Sequence, residues 1–186
     1  MPFLQHLAVA IFFLWLFVDA IVVFRHKTGE AENRDRSSFR VLTSVGSLAW
    51  LLAIVLSYTP FGAVRWPAAQ FAGLGLMAIG IAIRSVAIFQ LGRFHTPNVA
   101  IRADHRLLDT GLYSLVRHPS YLGAIVAFCG FGLALDNVAS LALTAVVTPC
   151  LYLYRIREEE AVLLAAFGER YRDYCARTKR LFPGIH

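Results

Sequence analysis

The sequence predicts an all-α integral membrane protein on three observations: 58% of its 186 residues are hydrophobic, only 16% are charged, and the apolar residues are gathered into long runs. A soluble domain of this size would leave much of that apolar surface wet, so a bilayer is the expected solvent. The formal charge of +6 invites a nucleic-acid reading. Its 18 Lys and Arg residues, however, are confined to a few stretches between the apolar runs, which is the pattern of membrane topology. Cys129, Cys150 and Cys175 lie far apart and read as packing residues. Neither a nucleic acid nor a metal is therefore expected as a partner; membrane lipids are.

A helix that crosses a hydrocarbon core of about 30 Å needs roughly 20 apolar residues, and five segments qualify, at about 3–24, 39–58, 68–91, 119–135 and 137–154. The first has no basic stretch before it and runs into Arg25-His26-Lys27 without a small-x-small cleavage site, so it reads as a retained span and not a signal peptide. Thr59-Pro60-Phe61-Gly62 supplies turn chemistry between the second and third. The glycines of the third, Gly73, Gly75 and Gly80, have no strand before them and read as sites of close helix approach, not as a dinucleotide loop. Pro119 opens the fourth span at a first-turn position. Only Asp136-Asn137 separates the fourth from the fifth, which predicts a tight helical hairpin. Thr148-Pro149 is the one hint of a break in the fifth. Beyond it, over 157–180, Ala161, Leu164, Ala165, Phe167, Tyr171 and Tyr174 form an apolar stripe among charges, the pattern of an amphipathic interfacial helix.

Five spans put the termini on opposite sides. Residues 25–40 hold five Lys or Arg, 84–117 five and 155–180 seven, leaving Arg65 alone on the other side. The N-terminus is then expected outside and the C-terminus in the cytoplasm.

Chemistry-bearing residues gather on the cytoplasmic side. Arg117-His118-Pro119-Ser120-Tyr121 stands at the mouth of the fourth span and Arg155-Ile156-Arg157-Glu158-Glu159-Glu160 at the exit of the fifth. The hairpin makes these ends neighbours, within a helix-packing distance of roughly 8–10 Å. Taken singly, each charged residue is an ordinary interfacial anchor. Three adjacent carboxylates at a membrane surface nevertheless repel one another unless cations offset them, which favours a site. Arg155 and Glu159, spaced i, i+4, project from one helix face and form the candidate catalytic pair. The long connection over 92–118 carries Pro97, Asn98, Asp104, His105 and Gly111, more polar groups than a linker needs. Asp19 and Arg84 are charges within apolar runs, either functional or paired with a neighbour.

Gly111-Leu112-Tyr113, Arg117-His118-Pro119-Ser120-Tyr121-Leu122-Gly123, Glu159-Glu160 and Phe167-Gly168-Glu169-Arg170-Tyr171, in that order and spacing, resemble the isoprenylcysteine carboxyl methyltransferase family in a minimal, microbial-type form. The resemblance implies S-adenosyl-L-methionine as cofactor, bound by a part at about 92–186 of a single membrane domain, with a lipophilic or prenylated acceptor entering from the bilayer. It also implies cofactor contacts at His105, Leu107, Leu108, Tyr113, His118, Pro119, Ser120, Tyr121 and Glu159, and acceptor binding by Arg155. Carboxyl O-methylation is the expected reaction. Phospholipid or amine N-methylation, a sterol-reductase-like NADPH enzyme and a non-catalytic scaffold are the alternatives, and cofactor identity separates them.

Overall fold

The structure, a computed structural model, describes residues 2–25, 37–95 and 107–182. The described residues form six α-helices, α1 (Pro2–Arg25), α2 (Ser37–Ser57), α3 (Pro67–Leu91), α4 (Pro119–Ala134), α5 (Val138–Phe167) and α6 (Glu169–Arg177), with 3-10 turns at Gly92–Phe94 and Gly111–Ser114. Among the described residues, α1, α2, α3 and α5 are long and apolar enough to cross a membrane. The helix in the fourth expected span, α4, is apolar but has only 16 residues, about 24 Å at 1.5 Å per residue.

Adjacent helices run antiparallel, and two turns knit one end of the bundle. The Asn137 side chain caps α5 by accepting from Ser140 N at 3.0 Å, while its amide donates to the Phe61 and Leu56 carbonyls at 2.7 and 3.2 Å. Asp136 accepts from Trp66 N at 3.0 Å, just before Pro67 opens α3. The expected turn chemistry at 59–62 and 136–137 thus converges on one place. Gln5, near the start of α1, donates to Ser57 at the end of α2, so these helix ends lie at the same level.

The core is aromatic and glycine-packed. Phe12 of α1 stacks on Phe131 of α4, and Trp50 of α2 stacks on Phe128, each pair with ring centroids 4.1 Å apart. The central helix α4 is buried on most of its surface, consistent with a sequence apolar all round. Its contact with α3 is the most extensive in the molecule. A Cβ on Gly80 would lie 2.3 Å from Ala127 N, and one on Gly73 2.4 Å from Ala134 N; Gly123 and Gly130 of α4 are equally hemmed in by α3. Close backbone approach is what small residues at membrane helix interfaces allow. Gly75 differs from its neighbours: a Cβ there would meet nothing within 4 Å.

One expectation is corrected. The sequence reading ends the last span near Tyr154 and begins a separate amphipathic helix at Arg157, but α5 runs unbroken from Val138 to Phe167, through Pro149. The break falls at Gly168, whose φ of +54° suits glycine. Ala161, Leu164 and Ala165 are exposed on the α5 extension, whereas Tyr171 and Tyr174 are buried residues of α6, so the predicted stripe belongs to two helices with different environments. The physical reason is the absence of any Gly or Pro between Pro149 and Gly168, with Arg, Glu, Leu and Ala, all good helix formers, in between.

Candidate active site

The site end of the bundle is built from the first turns of α2 and α4, the polar extension of α5, and the segment after α6. Pro119 occupies the first turn of α4, where its missing N–H costs no helical bond, and His118 is the capping residue before it. This places His118, Ser120 and Tyr121 at one helix start, with His118 and Ser120 buried. The rings of His118 and Tyr121 stack at 5.6 Å, 7° from parallel.

Arg155, Tyr121 and Glu159 form a hydrogen-bonded row. Arg155 Nε donates to the Tyr121 hydroxyl at 3.0 Å, and that hydroxyl donates to Glu159 Oε2 at 2.5 Å. The i, i+4 pair thus meets on a tyrosine from the opposing helix. Arg155 is 3% exposed, so its charge is held inside protein and not in water. Its Nη1 donates to Ser38 Oγ at 3.0 Å, and its Cζ stands 5.7 Å from the centroid of the Phe39 ring, both in the first turn of α2.

Glu160 faces a separate cluster. Its Oε1 accepts from Arg117 Nε at 3.1 Å and lies 3.3 Å from His118 Nε2, while Oε2 accepts from Arg180 at 2.6 Å. That bond to the carboxylate holds the Arg180 proton more tightly than water would. Residues 178–180 form a strap across the start of α4: Arg117 N donates to the Lys179 carbonyl at 2.7 Å and His118 N to the Arg180 carbonyl at 3.2 Å. Arg117 Nη1 reaches the carbonyls of Thr178 and Cys175 at 2.5 and 3.1 Å, and Leu181 closes into the core. Tyr174 donates to the Tyr113 carbonyl at 2.6 Å. Burial pushes the phenols of Tyr113 and Tyr174 well above their ordinary range.

The structure therefore brings together Tyr113, His118, Pro119, Ser120, Tyr121, Arg155 and Glu159. Leu107 and Leu108 are half-buried. His105 lies outside the described residues, as do Pro97, Asn98 and Asp104. Asp19 and Arg84 pair with each other, Nε and Nη2 each 2.8 Å from a carboxylate oxygen, and Arg84 Nη1 also donates to the Ser120 carbonyl at 3.4 Å. Sequence reasoning took Glu160 as one of a run of carboxylates and missed its partners, as it missed Ser38. Glu160 lies 43 residues from Arg117 and 20 from Arg180, and no local pattern joins them.

The model of the isoprenylcysteine carboxyl methyltransferase (ICMT) family matches residues 73–165, half of the chain. A protein-S-isoprenylcysteine O-methyltransferase of Arabidopsis thaliana, form A, is 34% identical over 151 residues, 77% of this chain and 76% of that protein. The chain belongs to the isoprenylcysteine carboxyl methyltransferase family. The family match takes in α4, all of α5 but its last turn, and most of α3. A protein-S-isoprenylcysteine O-methyltransferase of Schizosaccharomyces pombe is 36% identical over 107 residues, 56% of this chain but 45% of that one. A solved eukaryotic intramembrane Ras methyltransferase of this family superposes with a TM-score of 0.62 at 26% identity, covering 81% of this chain and 54% of that one. The chain thus spans about half the length of these last two relatives.

Proposed function

We propose that this protein transfers a methyl group from S-adenosyl-L-methionine to the carboxylate of a lipophilic acceptor, a prenylated cysteine in the first instance. The observation that carries the proposal is the row of Arg155, Tyr121 and Glu159, which sets a buried cation and a carboxylate on either side of one hydroxyl. The family membership and the names of its relatives support the same reaction.

The donor set suits the cofactor. S-adenosyl-L-methionine carries a sulfonium, an ammonium and a ribose diol, all of which a carboxylate attracts or accepts from. Glu160 is already engaged by Arg117 and Arg180, whereas Glu159 meets Tyr121 among the described residues and has accepting capacity left. Glu159 and the Tyr113, His118–Tyr121 wall would hold the cofactor, and the family resemblance adds Leu107 and Leu108 as contacts. When bound, it supplies an electrophilic methyl group. Arg155 orients the acceptor carboxylate through a planar fork, which a lysine ammonium does not offer. No general base is required, because a carboxyl group with an ordinary pKa of about 4 is already ionised at neutral pH. The residues contribute alignment, dehydration of the acceptor and a low-dielectric setting in which charge interactions are stronger than in water.

We read α4 as a fifth span, sheltered by its neighbours, and the whole chain as one membrane domain. The distribution of basic residues favours an outside N-terminus and a cytoplasmic site and C-terminus. Calorimetry on detergent-purified protein tests the cofactor: saturable binding of S-adenosylhomocysteine and none of NADPH is expected. Radiolabelled methyl transfer to N-acetyl-S-farnesylcysteine, with phosphatidylethanolamine vesicles as the amine control, tests the acceptor. NADPH binding alone, or methylation of the amine alone, overturns the proposal.

A further inference from the structure

We propose that the Tyr152 hydroxyl, beside the buried Asp19–Arg84 pair, is a second contact site for the acceptor and binds the amide next to its reacting carboxylate. The inference deepens the methyl-transfer reading given above and rests on it.

Tyr152 stands on the same face of α5 as Arg155 and Glu159, at spacing i, i+3, i+7. It lies about 4.5 Å from Arg155 towards the middle of the bundle, whereas Glu159 lies about 6 Å from Arg155 in the other direction, at 1.5 Å per residue. The Tyr152 side chain is 5% exposed, and its ring packs on Tyr121 of α4 with centroids 5.3 Å apart. Among the described residues its hydroxyl has no hydrogen-bond partner. A buried hydroxyl left in that state costs free energy that a phenylalanine there would not, which points to a ligand as the partner.

The surroundings define the ligand. The hydroxyl is within electrostatic reach of Arg84, Asp19 and Arg155. Arg84 gives Nε and Nη2 to the Asp19 carboxylate, each at 2.8 Å, and Nη1 to the Ser120 carbonyl at 3.4 Å. Cation and anion offset one another, so the place beside them suits a neutral polar group better than a further charge. In a C-terminal S-prenylcysteine the carbon that bears the carboxylate also bears an amide and the thioether side chain. With the carboxylate at the level of Arg155 and the prenyl tail in the bilayer, these two groups fall at the level of Tyr152. A thioether is only a weak acceptor, but an amide carbonyl that leaves water needs a donor. Tyr152 supplies it: the hydroxyl donates to the amide carbonyl, and each group satisfies the other.

The signature of such a contact is selectivity for the amide. The test uses the full chain in detergent and measures methyl transfer to N-acetyl-S-farnesylcysteine and to S-farnesylthiopropionic acid, which keeps the carboxylate, thioether and tail but lacks the amide. Tyr152→Phe should lose roughly tenfold in kcat/KM for the first acceptor, mainly through KM, and leave the second acceptor and the affinity for S-adenosylhomocysteine unchanged. Equal losses for both acceptors, or no loss for either, overturn the amide site while the methyl-transfer reading stands. Should Tyr152→Phe not fold, the unsubstituted protein decides: it should prefer the amide-bearing acceptor, and equal kcat/KM for the two overturns the site. Failure of the unsubstituted protein to methylate either acceptor overturns both readings together.

Discussion

The middle of the bundle and its site end are built by opposite means. Between the helix ends, α3 and α4 meet through glycines and the core through stacked aromatic rings, with backbone polarity satisfied inside each helix. At the site end side chains from α2, α4, α5 and the strap exchange hydrogen bonds with one another. In the first region position is set by what cannot fit. In the second it is set by what each polar atom is bonded to, so substitutions there should change function before they change folding.

The largest expected effect lies in the glycine-packed region. Gly80→Val must part α3 from α4, since even its Cβ would come 2.3 Å from a backbone nitrogen, and the variant should not yield folded protein by size-exclusion chromatography in detergent. Gly75→Ala, where a Cβ meets nothing, should purify normally, and equal behaviour of the two would break the contrast. Next comes the charged pair beneath the site. Asp19→Ala strands Arg84 without its carboxylate, and a loss of about 3–5 kcal/mol should appear as a markedly lower melting temperature.

At the site itself the effects should divide by ligand. Glu159→Gln is expected to weaken S-adenosylhomocysteine binding roughly tenfold to a hundredfold by calorimetry, whereas Arg155→Lys spares that affinity and lowers kcat/KM for the acceptor by about a hundredfold. Equal cofactor affinity in the Glu159 variant and the unsubstituted protein would remove that residue from the cofactor site. The smallest effect belongs to Arg180→Ala: nearly half of that side chain is exposed, so the pair with Glu160 contributes at most about 1 kcal/mol and the melting temperature should scarcely move.

Much of this division was readable beforehand. Apolar run length gives the long helices, and Asp136-Asn137 gives the hairpin, because too few residues separate the runs to allow anything but a turn. The meeting of Arg155 with Glu159 follows from their spacing. Their shared partner does not, because Tyr121 is opposed to them by the register of two packed helices. The extension of α5 is hidden for a different reason: polar residues after Tyr154 signal departure from the bilayer, which is not the end of the helix. Only a backbone breaker ends a helix of such residues, and the first one is Gly168. Glu160 was legible as a carboxylate but not as the anchor of the strap, since its cations come from both directions along the chain.

The strap also sets an order of events. Arg117 and His118, at the head of α4, give their backbone N–H groups to residues 179 and 180, which leave the ribosome after α1 to α6. Insertion can therefore finish while the start of α4 still lacks these partners. The helices are made first, and the polar end of the bundle is stitched shut by residues that follow them in the chain.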